Sequence, residues 1–131
     1  MVGGVGMLPV APLFWLLGLL AMSSGLALRV WAGRALGPFY TPTLKVVLGQ
    51  PVIESGPYWL VRHPGYLATI LLWVGFGLVF ANWLATLAVA ALVAAAFALR
   101  IQAEESLLLA SFGSEYHRYM SRTWRLLPGL Y

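Results

Sequence analysis

The sequence predicts an all-α integral membrane protein with about three transmembrane helices, and two observations lead to that fold class. Of the 131 residues, 61% are hydrophobic and only 9% are charged. A water-soluble domain of this size would lack the polar residues that normally cover a surface. Three apolar segments also have about the 20-residue length that the hydrocarbon core of a bilayer requires. We therefore interpret residues 1–131 as a single membrane domain.

The predicted spans cover, in chain order, residues 7–28, 64–81 and 83–101. A signal peptide is the alternative for the first span, but signal peptides carry positive charge before the apolar core, and residues 1–28 contain no Lys or Arg. Pro64 suits the first position of a helix and disfavours helical geometry at His63, so the second span is predicted to begin there. Because only Asn82 separates the last two apolar segments, these spans are expected to form a helical hairpin.

The basic residues predict the orientation in the membrane. With three spans, all eight Lys and Arg residues fall on one side, which the positive-inside rule assigns to the cytoplasm. The N-terminus and the turn at Asn82 then face outward, and the cell inner membrane is the expected location. The net charge of +4 reflects this topology and contact with anionic lipid, and it does not call for nucleic acid.

No metal site is predicted, because the two histidines are far apart and the carboxylates lack ligand spacing.

Two polar stretches lie on the predicted cytoplasmic side. Residues 33–63 contain four prolines, which forbid a long helix, and short extended pieces are predicted on either side of residues 49–50. Residues 100–131 continue the third span, break at Gly113 and resume as a helix with Ser114 as its predicted N-cap. The loop and the tail can therefore meet, and a site is expected where they do.

Scarce charges at the membrane boundary are the candidate functional residues. Arg62 and His63 precede the second span, where a helix N-terminus and a forked guanidinium attract anions. Arg100 and Glu104 share one helical face, and Glu105 follows directly. An Arg and a Glu together suit an amino-acid-like ligand, with Arg for its carboxylate and Glu for its ammonium or for ribose hydroxyls. These residues can also be lipid anchors or an exposed ion pair of little energetic value.

The stretches "GPYWLVRHPGY" and "RIQAEESLLLASFGSEYHRYMSRTWRLLP" resemble the isoprenylcysteine carboxyl methyltransferase family and its phospholipid N-methyltransferase relatives. In that group a G-x-Y, R-H-P-x-Y stretch precedes a transmembrane hairpin, and an Arg, a Glu-Glu pair and an F-G-x-x-Y-x-x-Y segment follow it. The resemblance covers about residues 54–128, with site segments at 54–66 and 100–128. It implies that the loop and the C-terminal helical tail enclose S-adenosylmethionine and that a methyl group passes to a lipophilic acceptor, a carboxylate or an amine.

The resemblance also implies roles for individual residues. The cofactor pocket would be lined by His63, Tyr66, Arg100, Glu104 and Glu105, with Tyr58, Tyr116 and Tyr119 as secondary candidates. Arg62 is expected to orient the acceptor, and His63 would take a proton if the acceptor is an amine. Family members usually carry more spans before the motif, so a homodimer is one way to complete the acceptor wall.

Two alternative functions remain at this stage. Membrane sterol reductases also carry an R-H-P-x-Y hairpin and an acidic helix, use NADPH, and end in a segment similar to "RLLPGLY". Against this alternative stand the greater number of spans in those enzymes and the adjacent Glu104 and Glu105 here. The second alternative is a small non-catalytic membrane subunit that binds anionic lipid through its basic face. The order and spacing of the motifs favour the methyltransferase.

Overall fold

The computed structural model describes residues 11–39 and 50–131, which form four α-helices and contain no β-strand. The helices are α1 (Ala11–Leu36), α2 (Pro64–Val79), α3 (Trp83–Phe112) and α4 (Ser114–Ser121). Short 3-10 turns follow α1 and precede α2. The predicted all-helical class is confirmed for these residues. Of the predicted extended pieces, the first lies outside the described residues, and residues 51–55 adopt no strand.

Two helices, α1 and α3, are each long and apolar enough to cross a membrane. Helix α2 begins at Pro64 as predicted, but its 16 residues extend only roughly 24 Å, which is short for a span. Large apolar side chains cover the outside of the helices, and Leu92 and Leu99 are each 72% exposed. Such a surface is suited to lipid, where exposed leucine carries no penalty.

Helices α1 and α2 pack through glycines at very short range. A Cβ added at Gly18 would lie 2.6 Å from the Gly75 carbonyl oxygen, and one at Gly75 would lie 2.6 Å from the Gly18 carbonyl oxygen. A Cβ at Gly25 would similarly meet the Ala68 carbonyl oxygen at 2.7 Å. We call Gly18, Gly25 and Gly75 the glycine interface. Residues without side chains let the two backbones approach in lipid, where close packing holds helices together.

The connections that follow α2 and α3 use residues with special backbone geometry. Ala81 has a φ of 51° in the α2–α3 turn, and the Asn82 side chain caps α3 by accepting a hydrogen bond from the Ala85 amide at 3.0 Å. Helix α3 ends at Phe112, and the predicted break follows at Gly113, which has a φ of 58°. The predicted N-cap Ser114 is wrong, because Gly113 occupies the cap position of α4 and Ser114 is already the first helical residue.

The loop before α2 and the C-terminal tail meet, as expected from the sequence, and backbone hydrogen bonds join them. Val61 and Trp124 form an isolated parallel bridge. The Trp124 amide donates to the Leu60 carbonyl at 2.9 Å, and the Arg62 amide donates to the Trp124 carbonyl at 2.7 Å. The His63 amide donates to the carbonyl of the next tail residue at 3.1 Å. These bonds hold the tail against the N-terminal end of α2, beside the polar end of α3.

Candidate active site

A cavity of about 390 Å³ lies between α1, the start of α2, the polar end of α3 and α4. This volume is within the range of small-molecule binding sites. Its polar wall includes the side chains of Arg29, Tyr58, His63, Tyr66, Arg100 and Glu104. Its apolar wall includes Leu36, Phe39, Phe97, Leu107, Leu108 and Phe112. A site of this kind combines an apolar surface with a few polar groups that fix the orientation of a ligand.

Tyr66 connects the two charged residues that the sequence placed on one face of α3. Its hydroxyl donates to Glu104 Oε2 at 2.6 Å and accepts from Arg100 Nε at 2.8 Å. The Tyr66 ring packs against Phe97, with 4.7 Å between ring centroids. All four side chains line the cavity. Helices α2 and α3 therefore bring a carboxylate, a guanidinium and a phenol together at one end of it.

A second polar group lies behind the cavity wall and is centred on Glu105. Its Oε1 accepts from Arg62 Nε at 2.9 Å and lies 3.0 Å from His63 Nε2, while Oε2 accepts from Arg125 Nε at 3.1 Å. Glu105 and His63 are each only 4% exposed. We call Arg62, His63, Glu105 and Arg125 the Glu105 cluster. It joins α3 to the loop before α2 and to the C-terminal tail.

The structure separates the two adjacent glutamates that the sequence analysis grouped together. Glu104 lines the cavity, whereas Glu105 is not among the lining side chains. The reason is helical geometry, since neighbouring residues on an α-helix point about 100° apart. Glu105 therefore lies one layer behind the pocket in which it was expected.

Arg62 was expected to orient the acceptor, but its guanidinium is directed largely into the protein. Besides its bond to Glu105, Nη1 donates to the Met120 carbonyl at 3.0 Å and to the Thr123 carbonyl at 2.7 Å. The side chain is 8% exposed, although it still borders the cavity. This geometry gives Arg62 the task of holding the tail in place, and a contact with the acceptor remains a prediction.

Tyr116 and Tyr119 lie on one face of α4, as their spacing predicted, and both line the cavity. Each is 3% exposed, and their ring centroids are 5.6 Å apart. The Tyr119 hydroxyl donates to the Tyr58 carbonyl at 2.6 Å. Burial raises the pKa of both phenols above their ordinary value, so both are neutral at physiological pH. They anchor α4 to the loop.

Sequence reasoning did not assign two of the site's arginines. Arg29 Nη1 donates to Thr69 Oγ1 at 3.0 Å, and both residues line the cavity. The sequence signal for Arg29 was its position at the end of an apolar run, which was used only for topology. Arg125 carried no local signal, because it lies in the tail and its partner Glu105 is 20 residues away in α3.

These features define an integral membrane protein with a polar binding site next to its apolar helices. The profile of the isoprenylcysteine carboxyl methyltransferase (ICMT) family matches residues 16–110. The chain therefore belongs to this family of methyltransferases.

The chain is also similar to individual curated proteins. The cobalt-zinc-cadmium resistance protein CzcN of Cupriavidus metallidurans is 35% identical over 124 residues, covering 92% of this chain and 52% of CzcN. A probable protein-S-isoprenylcysteine O-methyltransferase of Oryza sativa subsp. indica is 31% identical over 113 residues, covering 85% of this chain and 59% of the rice protein.

A solved structure of the eukaryotic intramembrane Ras methyltransferase ICMT superposes with a TM-score of 0.84 at 25% identity. The match covers 89% of this chain and 43% of that structure. The chain thus spans about half the length of the curated relatives that it matches. It shares the fold of the solved structure over 89% of its own length.

Proposed function

We propose that this chain binds S-adenosylmethionine and transfers its methyl group to a lipophilic acceptor at the membrane surface. The observation that carries the proposal is the cavity in which Tyr66, Arg100 and Glu104 form one polar end and Phe97 begins an apolar wall. Membership of a methyltransferase family supports the reaction class. The lipid-facing surfaces of α1 and α3 support a lipophilic acceptor.

The residues of the cavity fit the chemistry of this cofactor. The Glu104 carboxylate suits an ammonium group or ribose hydroxyls, and the Arg100 guanidinium suits a carboxylate. Phe112 and Leu108 offer an apolar surface for a purine ring. When bound, the cofactor supplies a methyl carbon made electrophilic by the attached sulfonium.

The protein's own contribution is alignment and exclusion of water. The Tyr66 hydroxyl fixes Glu104 and Arg100 relative to each other through two short hydrogen bonds. The Glu105 cluster and the Tyr119 hydroxyl hold the loop and tail around the cavity. Transfer between aligned groups depends strongly on such positioning, because a displacement of about 1 Å can cost roughly a hundredfold in rate.

The acceptor can be a carboxylate or an amine. A carboxylate is already anionic at neutral pH and needs only orientation. An amine must lose a proton, and His63, which borders the cavity, is the candidate base. The homodimer expected from the sequence remains a prediction, which native mass spectrometry in lipid nanodiscs tests.

We also propose that the cavity opens at the cytoplasmic side of the inner membrane. Arg29, Arg62 and Arg100 come from three separate elements and meet around one cavity. The opposite end of the α2–α3 hairpin, residues 80–82, carries no charge. The positive-inside rule then assigns the charged end to the cytoplasm. Reporter fusions at the C-terminus and at the turn test this orientation, and an external C-terminus would contradict it.

Calorimetric titration of the protein in nanodiscs with S-adenosylmethionine and, in parallel, with NADPH tests the proposed cofactor. We expect S-adenosylmethionine to bind. Arg100→Ala or Glu104→Gln should weaken it at least tenfold, about 1.4 kcal/mol, because a charge-assisted contact is lost. The matched controls Arg118→Ala and Glu115→Gln change exposed charges of α4 and should bind like the parent.

The other outcomes identify the alternatives. Binding of NADPH alone would favour the reductase, and binding of neither compound would favour a non-catalytic subunit. Unchanged affinity in both Arg100→Ala and Glu104→Gln would contradict the assignment of the cavity. Transfer of a labelled methyl group to a prenylated cysteine or to an aminophospholipid then distinguishes the two acceptor classes.

A further inference from the structure

Glu105 makes bonds to three residues in two other segments of the chain, the loop before α2 and the C-terminal tail, from a buried position. Its side chain is 5% exposed and accepts from the Nε atoms of Arg62 and Arg125 at 2.9 and 3.1 Å. The third contact is with His63 Nε2, at 3.0 Å from the same oxygen that binds Arg62. With both carboxylate oxygens occupied, Glu105 is held in one orientation, and so is the imidazole bonded to it.

The chemistry of this contact determines where the imidazole carries its proton. Two guanidinium groups favour the ionised form of Glu105, and an ionised carboxylate can only accept hydrogen bonds. The proton between His63 and Glu105 must therefore belong to Nε2. A neutral histidine that carries its proton on Nε2 has a free lone pair on Nδ1.

The cavity is the open space that His63 borders, so it is where a lone pair on Nδ1 can meet a ligand. Within residues 11–39 and 50–131, no buried side-chain nitrogen or oxygen lacks a hydrogen-bond partner. The hydrogen bond of the His63 ring uses Nε2. An Nδ1 atom that makes no hydrogen bond is therefore not sealed in the protein, and the open space next to His63 is the cavity that it lines. We infer that Glu105 is a positioning residue that holds His63 with its proton on Nε2 and presents Nδ1 to the cavity as a hydrogen-bond acceptor.

This arrangement gives the site a neutral acceptor next to several donors. The Arg62 and Arg100 guanidinium groups only donate, whereas Nδ1 accepts from an N–H or O–H group of a ligand. An ammonium, an amine or a hydroxyl group is thus the ligand chemistry that His63 would recognise. That the ligand takes part in methyl transfer rests on the proposed function, but the position of the proton does not.

Nitrogen-15 NMR of histidine-labelled protein in nanodiscs tests the inference directly. The chain contains only two histidines, and a His117→Gln variant identifies the signals of the exposed ring. At alkaline pH we expect His63 to carry its proton on Nε2 and none on Nδ1. A proton on Nδ1, alone or in addition to Nε2, would overturn the inference.

A Glu105→Gln variant tests whether Glu105 is the cause. Its carboxamide offers one acceptor oxygen to three donors, so the form with the proton on Nδ1 should rise at least fivefold in population. Turnover at saturating cofactor should fall at least tenfold, while Glu115→Gln on the exposed face of α4 leaves both quantities unchanged. A folded Glu105→Gln protein with the parent's proton distribution would show that Glu105 does not set it.

The two proposals fail separately. If His63 carries its proton on Nε2 but S-adenosylmethionine does not bind, methyl transfer is wrong and the role of Glu105 stands. If the cofactor binds but Nδ1 carries the proton, the role of Glu105 is wrong and the proposed cofactor stands. The spectrum of the parent protein decides the inference even where Glu105→Gln does not fold.

Discussion

The glycine interface and the Glu105 cluster hold the molecule together by different physical means. At the glycine interface, the backbones of α1 and α2 approach each other directly. A carbonyl oxygen of the facing helix is the atom nearest to a Cβ added at each of these glycines. In the Glu105 cluster, one carboxylate joins segments 20 and 43 residues away by charge-assisted hydrogen bonds.

The environment explains why the two regions differ. Apolar side chains gain little by leaving lipid, so shape and close contact decide how helices pair inside a membrane. At the boundary, partly desolvated charges need partners, and a partner that is removed leaves an uncompensated charge. The helices and the site should therefore respond independently to substitution, and the following predictions test that separation.

The largest effect is expected for Glu105→Ala. It leaves the Arg62 and Arg125 guanidinium groups without their carboxylate, and breaking a buried ion pair from one side costs about 3–5 kcal/mol. The loss should be confined to the loop and the tail. Hydrogen exchange at the amides of Arg62, His63 and Trp124, which carry the loop–tail bonds, should accelerate while α1 and α2 exchange at the parent's rate. Equal acceleration in α1 and α2 would contradict the separation.

A smaller but complementary effect is expected for Gly18→Ala. The added methyl group would lie 2.6 Å from a carbonyl oxygen of α2, and such overpacking costs about 1–3 kcal/mol. Gly33→Ala is the matched control in the same helix, since among the described residues no atom outside the helix's own backbone lies within 4 Å of its added Cβ.

Unfolding in a detergent titration, followed by circular dichroism, measures both glycine variants. Gly18→Ala should unfold at a lower detergent fraction than the parent. Gly33→Ala should unfold at the same fraction or a higher one, because alanine favours a helix more than glycine does. An equal loss in both variants would mean that the close approach of α1 and α2 is not the cause.

The smallest effect is expected for Glu54→Gln. Glu54 also forms an ion pair with a tail arginine, Arg122, but the two side chains are 43% and 62% exposed. An exposed pair of this kind contributes less than about 1 kcal/mol, and added salt weakens it further. Hydrogen exchange at the same loop–tail amides compares this variant with Glu105→Ala. A similar loss in both would show that burial does not distinguish the two glutamates.

Local rules predicted the elements that frame the site. Pro64 begins α2 because its fixed φ suits a first helical position, and Gly113 ends α3 because the chain needs a positive φ there. The four-residue step from Arg100 to Glu104 placed both on the cavity side of α3. Each of these features depends on a few neighbouring residues, so the sequence alone was sufficient.

The Glu105 cluster and the glycine interface depend on how distant segments approach each other. Glu105 was assigned to the pocket with Glu104, although a rotation of about 100° per residue already indicated different directions. Its partner Arg125 could not be predicted, because that pairing requires the tail to fold back along the loop. Gly18 and Gly25 are seven residues apart, which is about two helical turns, so they lie on the same face of α1. This spacing was a sequence signal for the contact with α2 that could have been used.

Helix α3 runs without interruption from the apolar Trp83 to Phe112, so it extends roughly 45 Å and carries both the membrane-crossing surface and the charged residues of the cavity. Because the helix is uninterrupted, the number of residues between its membrane-crossing part and Glu104 sets the distance of Glu104 from the bilayer centre. Four extra residues in its apolar part would raise the charged residues by about 6 Å while turning them by only about 40°. The thickness of the surrounding bilayer would then decide how far a lipid must rise to reach them, because a mismatch between helix and bilayer is absorbed by tilt or local deformation.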